Sequence, residues 1–101
     1  MKHQAHVDKV RSAVLESRGE TDAALRQAVF DGRLSDVPEV LRTFVEKVRD
    51  RAYEITDADV GVLKEAGFTD DEVFEIAASG ALGAGMLRLN RALAALEEAR
   101  A

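Results

Sequence analysis

Residues 78–85 read ASGALGAG, and this glycine-rich stretch is the first candidate for chemistry in the chain. Glycines bind nucleotides where backbone N–H groups must approach a phosphate closely. The order here is G-x-x-G-x-G and no strand pattern precedes it, so it matches neither the dinucleotide-binding fingerprint nor a P-loop. In a helix, small residues four apart would instead leave a strip that another helix can approach, within the subunit or between subunits. The floor of a small-ligand pocket is the alternative.

Two arginines, Arg88 and Arg91, follow the glycines three residues apart. Paired guanidinium groups could clamp an anion or a partner's carboxylate, although we expect an exposed or inter-subunit salt bridge as their use. The candidate binding or interface residues are therefore Ser79, Gly80, Gly83, Gly85, Arg88 and Arg91.

Other groups with possible chemistry have simpler explanations. His3 and His6 have a spacing that would place two imidazoles on one helical face, but two ligands near a fraying terminus do not make a metal site. Five acidic residues fall at predicted helix starts, where they complement the helix dipole; they are Asp57, Asp59, Asp70, Asp71 and Glu72. No histidine is placed near a serine or Tyr53. The sequence thus predicts no catalytic residue, metal site or cofactor.

The composition restricts the class of protein. The 101 residues are 47% hydrophobic and 33% charged, which predicts a single folded domain over residues 1–101. A net charge of −5 argues against nucleic acid or an anionic membrane as a partner. With no apolar run of transmembrane length and no signal-peptide core, we expect a cytoplasmic protein. The absence of cysteine excludes thiol nucleophiles, disulfides and zinc–thiolate sites.

The elements that would position these residues are helices joined by short turns, an all-α bundle of about five helices. The first carries Val7, Val10 and Val14 on one face and stops at Gly19. The second begins at Thr21 and closes at Gly32.

The remaining three helices are marked by capping boxes, in which a side chain three residues into the helix bonds back to the first residue. The predicted boxes are Asp36 with Glu39, Thr56 with Asp59, and Thr69 with Glu72. The third helix has an apolar stripe of Leu41, Phe44, Val45, Val48 and Ala52. Phe68 and Val73 predict a hydrophobic staple before the fifth helix. That helix runs from Asp70 to about residue 98, either unbroken or bent near Gly80 to Gly85.

The phrase TDADVGVLKEAGFTDDEVFEI, followed later by LNR, resembles the C-terminal part of the alkylhydroperoxidase D and carboxymuconolactone decarboxylase family over roughly residues 41–96. The resemblance implies an all-helical fold and a symmetric homo-oligomer. That family carries a C-x-x-C and a histidine on an upstream helix, with a glutamate before them. The corresponding positions here hold Gln4, Val7 and Arg11, and the glutamate would precede Met1, so no catalytic residue carries over.

The function that follows is a non-redox, cysteine-less member of this helical family that acts as a homo-oligomeric interaction or assembly module, with a further protein partner as an option. One alternative is a decarboxylase-like enzyme that uses His6, Arg88 or Arg91 on a small anionic substrate. Another is a ligand-binding subunit that works with a cysteine-bearing paralogue.

Overall fold

The computed structural model describes residues 21–100, and these form four α-helices with no strand. The helices are α1 (Ala23–Asp31), α2 (Glu39–Asp50), α3 (Asp57–Glu65) and α4 (Asp70–Arg100). Short 3₁₀ turns at Leu34–Asp36 and Ala52–Glu54 join them. The all-α class and the long C-terminal helix are confirmed for this part of the chain. The predicted first helix, with His3 and His6, lies outside the described residues.

Helix α1 starts at Ala23, two residues after Thr21, where the sequence placed its beginning. Its N-cap is Asp22, whose side chain accepts a hydrogen bond from the backbone of Ala24. Thr21 instead donates from its backbone N and its hydroxyl to one carboxylate oxygen of Glu75 in α4, at 2.8 and 2.6 Å. Gly32 ends the helix in the left-handed conformation, with φ of 73°, as predicted.

The capping box predicted for α2 is wrong. Asp36 lies in the preceding 3₁₀ turn, where its carboxylate pairs with Arg33 at 2.7 Å, and Pro38 occupies the N-cap without a side-chain hydrogen bond. The carboxylate is therefore engaged with a neighbouring cation and does not reach the first turn of α2. The apolar stripe also stops early, because α2 ends at Asp50 and Ala52 is exposed in the next turn.

The other two boxes are confirmed. At the start of α3 the backbone N of Asp59 donates to the Thr56 side chain. In return, the backbone N of Thr56 donates to the Asp59 side chain. At the start of α4 the backbone N of Thr69 donates to Glu72 at 2.9 Å, and the backbone N of Glu72 donates to the Thr69 hydroxyl at 3.1 Å.

The hydrophobic core lies between α4 and the pair α1 and α2, with α3 closing one end. The most deeply buried apolar side chains are Val29, Val37, Leu41, Val45, Leu63 and Ile76. Val73 is buried and Phe68 packs against the core, as a hydrophobic staple requires.

Helix α4 is one unbroken helix, about 46 Å long at 1.5 Å per residue. The alternative of two helices with a bend near the glycines is not observed. Its last buried residue is Ala84, so the C-terminal part extends past the other described helices and gives the molecule its 52 Å dimension. None of the helices in the described range has the length and hydrophobicity to cross a membrane.

Candidate functional site

The buried part of the glycine-rich strip packs against helices of the same chain. Ser79, Gly80 and Gly83 of α4 are all buried. An ideal Cβ built on Gly80 would lie 3.1 Å from a methyl group of Val48 and 3.4 Å from one of Val29. At Gly83 the same atom would overlap the backbone carbonyl oxygen of Phe30. Small residues here let α1 and α2 approach the α4 backbone, which is the intrachain form of the close packing that the sequence suggested.

Arg49, which the sequence reasoning did not single out, fixes this contact. Its guanidinium donates to the carbonyl oxygens of Phe30 and of Val29, the latter at 3.2 Å, at the C-terminal end of α1. A cation at this end also interacts favourably with the helix dipole. The guanidinium lies 2.7 Å from the ideal Cβ position of Gly83, so glycine at that position leaves room for it. Arg49 therefore ties α1, α2 and α4 together.

Arg88 and Arg91, for which the sequence favoured an exposed or inter-subunit salt bridge over an anion clamp, are both exposed on α4. Arg88 donates to the backbone carbonyl oxygen of Arg49 at 2.8 Å, across 39 residues of sequence. This bond uses one edge of the Arg88 guanidinium to hold the C-terminal end of α2 against α4. Arg91 lies one turn further along the exposed helix and does not line the nearby cleft.

A cleft of about 210 Å³ lies beside this bond, between the C-terminal end of α1 and the middle of α4. Its polar lining is the Arg49 guanidinium with Asp31 and Asn90, and Met86 and Leu87 supply its apolar lining. Ligand pockets for drug-sized molecules are commonly ~300–1,000 Å³. This cleft is therefore smaller than such pockets, and the Arg49 guanidinium in it already donates to two backbone carbonyls.

Ser79 is the candidate residue with the least expected setting. It is fully buried, and its hydroxyl has no hydrogen-bond partner among the described residues. A buried hydroxyl without a partner costs free energy relative to alanine. The small size of the side chain explains its place under α1, and the hydroxyl itself has no structural role that we can identify.

The fourth glycine of the set lies on a different side of the helix. Gly85 is two residues beyond Gly83, which places it about 200° around an α-helix. It is exposed, and no atom of residues 21–100 lies within 4 Å of its ideal Cβ position. The strip that the sequence suggested as one surface is therefore divided between a packed side and an open side.

The open side of α4 is apolar along its length, and we call it the outer face. It consists of three sets: the exposed Phe74, a leucine row and a small row. The leucine row is Leu82, Leu89 and Leu96, and the small row is Ala78, Gly85, Ala92 and Ala99. Phe74 is 72% exposed and Leu96 is 46% exposed, whereas Leu82 and Leu89 are half-buried. The sequence analysis missed this surface, although each row repeats at seven-residue intervals.

Charged residues mark only the edges and ends of the outer face. Glu75 lies at one edge and is hydrogen-bonded to Thr21; Arg88 lies at the other and is bonded to Arg49. Asp71 lies at the N-terminal end and Arg100 at the C-terminal end. The intervening surface carries no charged residue.

The acidic residues lie where the sequence placed them, in the caps and first turns of α3 and α4. Asp59 accepts hydrogen bonds from the backbone N of Thr56 and from Lys47, at 2.9 and 3.0 Å. These bonds, with that from Thr56 the larger effect, hold the pKa of the Asp59 carboxyl below its usual value. Within residues 21–100 no group of three or more acidic or histidine side chains is arranged to hold a metal ion.

Comparisons of the chain with protein-family models, with curated proteins and with solved structures found no match. The assignment of a function therefore depends on the geometry described above.

Proposed function

We propose that this chain is a non-redox helical interaction module, which acts by assembling with another protein chain through the outer face of α4. The observation that carries the proposal is that this face is apolar over the length of the helix and faces away from the packed core. The apolar side of a helix normally faces other protein, with polar residues on the side that faces water. Described residues cover only the inner side of α4, between Val73 and Ala84.

Stability arguments support the same conclusion. The segment of α4 beyond Asn90 has no buried residue. Isolated helical segments shorter than about 12–15 residues are marginal in water. This segment continues an existing helix, so it does not carry the cost of helix nucleation. Its exposed leucines, however, contribute no free energy of hydrophobic burial. Covering them with another chain would add hydrophobic burial at roughly 25 cal/mol per Å² of apolar area.

The alternative of an enzyme acting on a small anion has less support. Of the arginines considered, Arg49 lines the small cleft and serves α1 carbonyls, Arg88 bonds to α2, and Arg91 lies outside the cleft. Each observed contact is explained by packing of the bundle. The outer face, by contrast, has no explanation within residues 21–100.

The resemblance to the alkylhydroperoxidase D and carboxymuconolactone decarboxylase family belongs to this proposal as well. We propose that the chain is a cysteine-less relative of that helical scaffold. Without thiols it has no nucleophile for the dithiol peroxidase mechanism. The homo-oligomeric assembly that the resemblance implies, and the cytoplasmic location expected from the sequence, remain part of the proposal, as does the option of pairing with a cysteine-bearing paralogue.

The test compares the full chain with a charged variant of the outer face. Light scattering would measure the mass of the purified chain over a range of concentrations, and affinity purification from the native host would detect other partners. Leu89→Glu is expected to abolish assembly. Ala94→Glu, with the same added charge on a different side of α4, is expected to leave it intact. A chain that is monomeric and without partners, or that assembles equally well with Leu89→Glu, would contradict the proposal.

A further inference from the structure

The outer face is complementary to itself. Each member of the leucine row is followed three residues later by a member of the small row, and both rows repeat every seven residues. This is the spacing of the contact positions of a coiled coil, in which side chains of one helix fit between those of its neighbour. We propose that the occupant of the outer face is a second copy of this chain, bound antiparallel about a two-fold axis that crosses the outer face at the level of residue 87 along the helix. This inference rests on the proposed function and names its partner.

The antiparallel register matches large residues with small ones. With the axis at the level of residue 87, Leu82 lies against the partner's Ala92, Leu89 against the partner's Gly85, and Leu96 against the partner's Ala78. The two-fold axis repeats each contact in the other direction. Alternation of large and small residues across an interface lets the layers interdigitate without voids. A parallel pair would instead place leucine level with leucine and leave a gap between the two copies of Gly85.

Gly85 is explained by this arrangement. No other described residue approaches its ideal Cβ position, so packing within residues 21–100 does not require glycine there. Glycine in a helix interior costs about 0.5–1 kcal/mol relative to alanine. In the dimer Gly85 lies in the layer next to the axis, where the leucine of the second copy needs the most room.

The charges at the ends of the outer face favour the same orientation. Asp71 is in the first turn of α4 and Arg100 in the last, and both are exposed. Antiparallel pairing brings Arg100 of each copy towards Asp71 of the other. Parallel pairing would bring like charges together at both ends. Opposite charges at the rim fix the register and orientation of a contact more than they add affinity.

The buried area is adequate for a stable dimer. From Phe74 to Arg100 the overlap is about 40 Å at 1.5 Å per residue, and the outer face between Glu75 and Arg88 covers about 140° of a ~12 Å cylinder, or about 15 Å of its circumference. Each copy would bury about 600 Å², or about 1,200 Å² in total, using these helix dimensions. Specific protein interfaces bury about 1,200–2,000 Å². The helix alone therefore supplies enough surface without contacts from α1, α2 or α3.

The absence of native cysteine allows a clean test by disulfide cross-linking of the full chain. A mixture of Ala78→Cys and Leu96→Cys chains is expected to form a mixed disulfide under mild oxidation, because these positions oppose each other. Neither variant alone should cross-link, since two copies of residue 78 would be about 27 Å apart along the axis, beyond the ~4.4–6.8 Å Cα separation of disulfides. As a matched control, Ala94→Cys lies at a similar level but on another side of α4 and should not cross-link with Ala78→Cys.

A second measurement does not depend on oxidation. Gly85→Met adds a good helix former at a position that is open in the single chain, so the fold is expected to persist by circular dichroism. In the dimer it fills the space of the opposing leucine, and we expect the dimer dissociation constant to rise by at least about tenfold, or ~1.4 kcal/mol. Ala94→Met should leave dissociation unchanged.

The outcomes separate this inference from the proposed function. Self-cross-linking of Ala78→Cys and of Leu96→Cys would indicate a parallel pair and overturn the inference, while the interaction module would stand. If the chain assembled with a different protein and Leu89→Glu blocked that assembly, the inference would also be overturned and the interaction module would stand. A monomer without partners, in which residues 1–20 of the same chain cover the outer face, would overturn both.

Discussion

Gly83 and Gly85 are two residues apart on one helix, yet substitution by alanine is expected to change stability in opposite directions. At Gly85, in the unassembled chain, the new methyl group meets no atom of residues 21–100. The helix propensity gain of about 0.5–1 kcal/mol should then appear in full as added stability. For a domain of this size that corresponds to a rise in Tm of roughly 4–8 °C per kcal/mol.

At Gly83 the methyl group would overlap the carbonyl oxygen of Phe30 and crowd the guanidinium of Arg49. The oxygen belongs to the backbone of α1 and cannot rotate away, so α1 must shift relative to α4. Overpacking of this kind costs about 1–3 kcal/mol. Weakening the charged hydrogen bond from Arg49 to Phe30 adds up to about 1.5–3 kcal/mol. After the gain in propensity, we expect Gly83→Ala to be destabilised by about 2 kcal/mol or more.

Gly80→Ala provides the intermediate case. Its new methyl group would meet the methyl groups of Val48 and Val29 at 3.1 and 3.4 Å, and these side chains can move by a few tenths of an ångström. We expect a change within about 1 kcal/mol of zero, because the propensity gain offsets the strain.

The assay is urea denaturation followed by helical circular dichroism. Measurements at about 1 μM and at tenfold higher concentration would reveal any contribution from self-assembly, since binding to the folded state raises apparent stability. The expected order of stability is Gly85→Ala, then Gly80→Ala, then Gly83→Ala. A Gly83→Ala chain as stable as Gly85→Ala would refute the close approach of α1 to α4, and with it the division of α4 into an inner and an outer face.

Three further predictions test individual contacts. Arg49→Met should destabilise the fold by about 1.5–3 kcal/mol, because it removes the hydrogen bonds to α1 carbonyls. The control Arg51→Met breaks only exposed ion pairs with Glu46 and Glu54 and should cost at most about 1 kcal/mol in the same urea titration. Ser79→Ala should be neutral or stabilising in thermal melts, because it removes a buried hydroxyl that has no partner in residues 21–100; a marked loss of stability would show that the hydroxyl is bonded. Because the pKa of Asp59 is lowered on folding, its carboxylate should stabilise the fold fully above its unfolded pKa of about 3.9. This stabilisation should decrease as the pH falls through the lower folded pKa. Asp59→Asn should therefore be less stable than the unmodified chain at pH 7 but similar to it in acid, and a stability difference independent of pH would contradict the assignment.

The helix boundaries could be predicted from the sequence where the signals are local. Thr56 with Asp59 and Thr69 with Glu72 cap their helices through residues three apart, and Gly32 ends α1 through its own backbone conformation. The exception is Asp36, whose spacing to Glu39 fits a box equally well. Its carboxylate is bound by Arg33 instead. Spacing alone does not decide between two partners that are both within reach.

The candidate site could be predicted only in part, because its contacts join residues far apart in the sequence. Arg49 reaches the end of α1 across 19 and 20 residues, and Arg88 reaches α2 across 39. No local pattern marks either arginine for this use. The outer face could have been predicted from its seven-residue repeats. The sequence analysis instead interpreted the cluster of glycines as a single strip.

The two faces of α4 also explain why this helix lacks the usual alternation of apolar and polar sides. Between Ser79 and Ala84 its inner side is made of small residues, because α1 and α2 already fill the space beneath it, with Val29 and Val48 against Gly80. Its outer side adds leucines, which protein chains seldom leave exposed in a continuous row. A chain that needed only its own core could place charges there, as the exposed side of α2 does with Glu46 and Asp50. The combination of a complete inner contact with an apolar outer face therefore favours a helix that is packed on both sides in the assembled protein, first by its own domain and then by another chain.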